Sequence, residues 1–315
     1  MSEKRKLIID TDCGSDDAVA IAMALNDPGY QVIMITTVAG NVPLQQATEN
    51  TLTTLQYADA YCPPVYEGCG EMLLKKWEGA RDTHGYDGLG DLGYHSTGRK
   101  KSEGHAVTRM LEALRDSEDR SIDIVTLGPL TNLAMAIRLD RKTFMRSRRV
   151  VVMGSAGLGF GNVTPAAEFN IWQDAEAARI VLEAGIEDLT FVGWDACLNE
   201  SMLEENEIKE IRESSQLGRF CIDSNHVLME LNRQRFGRDC LDMADPAAMA
   251  AALYPDCIAE CDRYYCRVDT SEGPSYGSVI IDFYGFTGKK PNAAVCSRLK
   301  SRLFKDYLMR MLKVR

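Results

Sequence analysis

Residues 7–25, LIIDTDCGSDDAVAIAMAL, constrain the fold more than any other part of the chain. Leu7, Ile8 and Ile9 form a short apolar run with the length and composition of a buried parallel strand, and a helix-like apolar pattern follows at once. Between them stand Asp10, Asp12, Asp16 and Asp17. Carboxylates this close repel one another, which raises their pKa values unless a cation neutralises them. Gly14 allows a tight turn from strand to helix. Asp16 and Asp17 fall at the expected helix start, where the macrodipole favours negative charge. One or two such residues would read as an N-cap and a solvated acidic loop. Four read as a hard-cation site, because oxygen-only ligands suit Ca²⁺ or Mg²⁺ rather than zinc. An EF-hand loop is excluded: counted from Asp10, its fifth position is Gly14 and its twelfth is Ile21 instead of Glu.

The same grammar recurs along the chain. Residues 32–38 read as a strand ending in Ala39-Gly40-Asn41. Residues 122–127 read as a strand breaking into Gly128-Pro129-Leu130-Thr131-Asn132. Residues 149–153 lead into a Gly-rich stretch that closes on Glu168, Phe169 and Asn170, and residues 189–193 end in Trp194 and Asp195. Helical patterns over 42–61, 103–117, 174–184 and most of 200–231 separate or follow them. Asp245 reads as the cap of a helix with Pro246 in its first turn. Residues 264–268 and 278–283 read as an antiparallel pair or edge addition, and Leu299 onward as a final amphipathic helix. Strand, polar loop and helix in alternation predict an α/β fold with a largely parallel sheet. With no internal repeat or linker, residues 1–315 are expected to form a single domain.

In such sheets ligands bind at the carboxyl ends of the strands. The polar clusters all fall at such ends, which predicts one site. The irregular, Gly-rich stretch 62–102, carrying His84, is long enough to suggest a functional loop.

The 46 acidic and 36 basic residues give a net charge of −10, which disfavours non-specific contact with nucleic acid or anionic membranes. No stretch approaches the roughly 18 apolar residues of a membrane span. The opening MSEKRKLIID runs straight into a strand, so no signal peptide and a cytoplasmic location are expected. The ten Cys contain no CxxC, and the closest cluster, Cys257, Cys261 and Cys266, has no His nearby. Free thiols are the expectation.

Taken together, these residues resemble the nucleoside hydrolase family, the inosine/uridine-preferring ribohydrolases. The match begins with Asp10-Thr11-Asp12-Cys13-Gly14-Ser15-Asp16-Asp17, the family's DxDxGxDD signature. Val38-Ala39-Gly40-Asn41, His84-Gly85, Gly128 to Asn132, Val151 to Gly154, Gly161 to Asn170, Asp245-Pro246 and Gly285 to Ala293 share the family's pattern. The resemblance implies a doubly wound, mainly parallel sheet with flanking helices. It implies Ca²⁺-dependent cleavage of the N-glycosidic bond of ribonucleosides to ribose and free base, serving nucleotide salvage. Asp12 would be metal ligand and general base, activating a metal-bound water. Asp17, Asp245 and the Leu127 carbonyl would complete the metal site. Asp16, Asn41, Glu168 and Asn170 would hold the ribose hydroxyls, with Asn162 towards the 5′ side, His84 at the pocket edge and Met153 as pocket wall. The partners implied are a small-molecule nucleoside and further copies of the chain, as homodimer or homotetramer, with neither nucleic acid nor membrane.

The residue types suit that chemistry. Glycosidic cleavage passes through an oxocarbenium-like sugar, a cation lowers the pKa of water, and an adjacent carboxylate takes its proton. Cys13, inside the signature, is expected to pack passively, since neighbouring carboxylates would raise its pKa.

One position departs from the pattern. Many family members carry His immediately before the last metal-binding Asp, where it protonates the departing base; here that residue is Ala244. His226, Arg233 and Arg235 are candidates to overhang the pocket instead, and His226 is the candidate leaving-group acid. Two other readings compete: a catalytically weak ribose- or nucleoside-binding homologue, and a DxD-type phosphohydrolase using Asp10 as nucleophile.

Overall fold

The apolar runs become strands β1 (Arg5–Thr11), β2 (Tyr30–Thr37), β3 (Val65–Glu67), β4 (Ile122–Thr126), β5 (Arg149–Met153) and β6 (Leu189–Val192) in the computed structural model, which describes residues 4–313. A two-residue ribbon, β7 (Leu203–Glu204) with β8 (Cys240–Leu241), stands apart. The chain then adds β9 (Ile258–Val268), β10 (Val279–Asp282) and β11 (Ala293–Leu299).

Nine strands form one sheet in the order β10-β9-β11-β6-β5-β4-β1-β2-β3. Within this sheet, among the described residues, only β9 pairs antiparallel, with β10 on one side and β11 on the other. The remaining pairings are parallel. Burial on both faces explains the unbroken apolar runs of the central strands. One face is covered by the helices Ser15–Asn26, Ala244–Leu253 and Ser301–Leu312, the other by Ala106–Asp116, Thr131–Phe144 and Ala175–Glu183. This is the doubly wound α/β arrangement that the pattern and the resemblance led us to expect.

The structure departs from the sequence reading at three places. Residues 293–299 are a strand, β11, lying inside the sheet between β6 and β9, where the sequence pattern indicates none. Their pattern, AAVCSRL, is too short and too poor in β-branched residues to stand out locally. The stretch 62–102 holds the three-residue strand β3 and the single-turn helix Arg81–His84. Asp245 does not cap its helix: Met243 holds that position, and Asp245 sits within the first turn.

β1 has β4 on one side and β2 on the other, so the direction of winding reverses at β1. The crevice between the carboxyl ends of β1 and β4 is therefore the place where a doubly wound sheet binds its ligand.

Candidate active site

The acidic signature divides at the end of β1. Asp10 is still inside β1, whereas Asp12 lies past its end: Asp10 Oδ1 accepts the Thr36 hydroxyl at 2.5 Å and the Asn132 amide at 2.8 Å, away from the crevice. Asn132 also donates to the Thr37 carbonyl at 3.0 Å. Asp10 thus ties β1 and β2 to the helix Thr131–Phe144, and burial pushes its pKa up to about 7.

Asp12 lies in the crevice, fully buried. Its Oδ2 accepts the Asn41 amide at 2.6 Å, while its Oδ1 is buried without a partner among the described residues. Burial, followed by repulsion from Asp17, raises its pKa well above the ordinary range. Two glycines make room for it. A Cβ at Gly40 would come within 2.0 Å of Asp12 Oδ2, and one at Gly128 within 2.7 Å of Oδ1.

Asp17 is fixed by the first turn of the helix Ser15–Asn26. It accepts the Gly14 amide at 2.8 Å and the Asn41 side-chain amide at 3.2 Å, as well as the Thr11 hydroxyl. Burial and then Asp16 raise its pKa to about 7. Asp245 arrives from the other end of the chain on an Ala-rich helix, whose small side chains allow it to pack closely on Ser15–Asn26. Asp16, Asp17 and Asp245 each offer an oxygen, and these oxygens lie within 4.8 Å of one another, all buried. Burial, then repulsion from Asp16, Asp17 and Asp12, pushes the Asp245 pKa well up. Buried acids crowded in this way are costly as anions, and oxygen-only donors so placed could hold a hard cation. The partnerless Asp12 oxygen fits the same conclusion.

The opposite wall is built by the loop after β5. Glu168 caps the short helix Phe169–Gln173, accepting the amides of Asn170 at 2.9 Å, Ser155 at 3.2 Å and Ile171 at 3.3 Å. Burial outweighs these bonds and leaves its pKa at about 7. Asn170 donates to the carbonyl of Leu127 at 2.6 Å and to that of Met153 at 3.3 Å. Asn162 Oδ1 accepts the Phe169 amide at 2.9 Å and cinches the loop. His84 Nδ1 accepts the Ser15 amide at 3.3 Å and lies 2.8 Å from the Ser15 hydroxyl. That geometry leaves the proton on Nε2. Burial lowers the His84 pKa, opposed by Asp16 at 3.9 Å.

These residues enclose one cavity of about 360 Å³, within the range of small-molecule sites. Its lining includes Asp16, Asn41, His84, Leu127, Met153, Asn162, Glu168, Asn170 and Asp245. Asp12 and Asp17 lie beneath, reaching it through Asn41 and the carboxylate cluster. Cys13 is buried beside them, its thiol pushed up by burial and Asp17.

His226 is not brought into the cavity lining. It begins the helix His226–Phe236 and donates from Nδ1 to the Asp223 carbonyl at 3.0 Å, while that helix presents Leu228, Leu231 and Arg235 to the cavity. Arg233 is held outside by Glu230 and Asp239. Helical periodicity alone could not say which face of that segment met the pocket.

Trp172 and Asp242, and Trp194 and Phe169, to which the sequence pattern assigns no individual role, also line the cavity. Asp242 accepts the Trp194 indole N–H at 2.9 Å and the Asn232 amide at 2.5 Å. Trp194 stands at the carboxyl end of β6, so the rule that ligands gather at strand ends contained the signal for it.

Sheet, switch point and acidic cavity together define an α/β enzyme whose site lies at the strand carboxyl ends. Residues 7–306 match the family described as inosine-uridine preferring nucleoside hydrolase. The chain is 34% identical over 294 residues to a pyrimidine-specific ribonucleoside hydrolase, RihB, of Escherichia coli (strain SE11), covering 93% of this chain and 92% of the relative. A plant nucleoside hydrolase, the PpNRh1 enzyme, superposes with a TM-score of 0.91 at 31% identity, over 99% of this chain and 100% of the other. A purine-preferring ribonucleoside hydrolase from Gardnerella vaginalis gives 0.89 at 28% identity, over 98% of each chain. The chain belongs to the inosine-uridine preferring nucleoside hydrolase family and is a nucleoside hydrolase.

Proposed function

We propose that the protein is a Ca²⁺-dependent hydrolase that cleaves the N-glycosidic bond of ribonucleosides to give ribose and free base, with Asp12 as general base. The observation that carries this reading is the partnerless, buried Asp12 Oδ1 beside the carboxylates of Asp16, Asp17 and Asp245. Asp12, Asp17, Asp245 and the Leu127 carbonyl would hold the ion. When bound, Ca²⁺ would orient a water and the ribose hydroxyls and lower the pKa of that water.

The chain's own groups supply the rest. Asn41 fixes one oxygen of Asp12, leaving the other free to take a proton from the attacking water. Asp16, Glu168 and the Oδ1 of Asn170, whose amide hydrogens go to the Leu127 and Met153 carbonyls, line the cavity with acceptors for the sugar hydroxyls. Asn162, Val163 and Phe169 of the loop after β5 and the indole of Trp194 wall the cavity, and polar contacts strengthen there as the sugar displaces water. With Ala244 unable to donate a proton, the base leaves against a wall of Trp194, Leu228 and Leu231, with Arg235 nearby. The relatives include pyrimidine-specific and purine-preferring enzymes. The reading extends to both base classes, to a cytoplasmic role in nucleotide salvage and to a homodimer or homotetramer.

The test is release of reducing sugar from a panel of purine and pyrimidine ribonucleosides, before and after chelation and with Ca²⁺ restored. Ribose formation that is lost on chelation and regained with Ca²⁺ is the expected result. Undiminished turnover in chelator would overturn the metal requirement, and saturable nucleoside binding without ribose release would overturn catalysis.

A further inference from the structure

Away from the cavity, Cys261 on β9 and Cys296 on β11 are directly opposed in the antiparallel ladder. Residues so paired share one face and have Cα atoms about 4.5–5.5 Å apart, inside the 4.4–6.8 Å range of disulfides. The register slips just after Cys296, between it and Arg298, so the ladder is locally irregular where a crosslink would need the backbone to adjust. Both are free thiols; Cys261 is partly exposed and Cys296 is buried beneath it. We propose that Cys261 and Cys296 are a peroxide-oxidisable dithiol, with Cys261 the reacting thiol and Cys296 the resolving one.

The opposed Cys296 thiol favours the Cys261 thiolate and holds its pKa below the ordinary thiol value despite partial burial. The same contact pushes the Cys296 pKa up. An accessible, thiolate-prone cysteine beside a second thiol is the arrangement that oxidises selectively. The other buried thiols differ: burial alone pushes Cys221 up, and burial together with nearby carboxylates raises Cys197.

The chemistry balances with hydrogen peroxide as the oxidant. The Cys261 thiolate attacks one peroxide oxygen, the O–O bond breaks, and the departing hydroxide takes a proton and leaves as water. Cys261 is then a sulfenic acid. Cys296 sulfur attacks it, the S–O bond breaks, and hydroxide leaves with the Cys296 proton as a second water. Two thiols lose two electrons and two protons, and one peroxide becomes two waters.

The full-length reduced protein, treated with a small excess of hydrogen peroxide, alkylated and digested without reductant, reports the outcome by mass spectrometry. The expected product is a linked peptide pair carrying Cys261 and Cys296, lighter than the two peptides by two hydrogens and lost after dithiothreitol. Cys296→Ser is expected to abolish the link and leave Cys261 trappable by dimedone. The assignment is overturned if Cys261 stays reduced while the exposed Cys62 reacts, if Cys261 is driven to sulfinic acid without a link, or if it links to Cys257. The wild-type map decides the matter even where a variant fails to fold.

Discussion

The backbone amide of Asp245 donates to the carboxylate of Asp16 at 3.4 Å, across 229 positions of sequence. That contact joins the first turns of two buried helices, and it places the carboxylates of Asp16, Asp17 and Asp245 around one point. Cation binding there should stabilise the fold. At a hundredfold excess over Kd, Ca²⁺ should add about 2.7 kcal/mol of stability. Differential scanning calorimetry should show Tm rising with Ca²⁺ in the wild type and far less in Asp245→Ala. Equal shifts in both proteins would reject Asp245 as a ligand.

Asp12→Asn should lower kcat by about 10²–10⁴-fold, the usual loss when a general base is removed. The metal-free Tm should not fall, because the variant removes one of several repelling carboxylates and keeps the side chain's shape. Single-turnover assays with enzyme in excess would expose the loss free of product release. Retention of more than about a tenth of wild-type kcat would assign the base elsewhere.

Asn170 spans the carbonyls of Leu127 and Met153, so it orients the Leu127 oxygen as well as lining the sugar cavity. Asn170→Ala leaves buried acceptors unpaired, at about 1–3 kcal/mol, and should reduce kcat/KM about tenfold or more. Steady-state kinetics on one good ribonucleoside would check this. An unchanged kcat/KM would reject the role.

Metal-free stability should fall as pH rises. Asp17 moves from an ordinary 3.8 to about 7, Asp10 likewise, and Glu168 from 4.5 to about 7. A raised carboxyl pKa means that the native state holds protons the unfolded chain has released, so stability declines from about pH 4 through about pH 7. Surface carboxylates with lowered pKa, such as Asp282, oppose this but are screened by water. Ca²⁺ displaces those protons at its own ligands, so its stabilising effect should grow over the same window. Melting curves with chelator and with Ca²⁺ at about pH 5 and about pH 8 would measure both slopes. A chelated protein more stable at the higher pH would contradict the argument.

His226→Ala should leave kcat/KM unchanged on both ribonucleosides and p-nitrophenyl riboside, because His226 bonds the Asp223 carbonyl outside the cavity lining. A loss confined to nucleosides with poor leaving groups would restore His226 as the acid and require the helix His226–Phe236 to move in catalysis.

Local pattern and chemistry carried much of this protein in its sequence. Apolar runs of strand length ending in polar residues set the parallel sheet, because buried strands need continuous hydrophobicity and their carboxyl ends face the ligand. Asp12, Asp16 and Asp17 are close in sequence and stay close in the fold as a buried acidic cluster, the arrangement from which the sequence reading expects a cation site. Only the tertiary structure decided what distance in sequence conceals. The end of β1 at Thr11 kept Asp10 in the strand, bonded to Thr36 and Asn132, and released Asp12 towards the cavity. The packing of one Ala-rich helix on another brought Asp245 to Asp17. The face of the helix His226–Phe236 that meets the cavity, the Asp242–Trp194 contact and the opposition of Cys261 and Cys296 all depend on pairings between distant segments. Periodicity fixes which residues share a face of one element; it carries no information about which other element that face will meet.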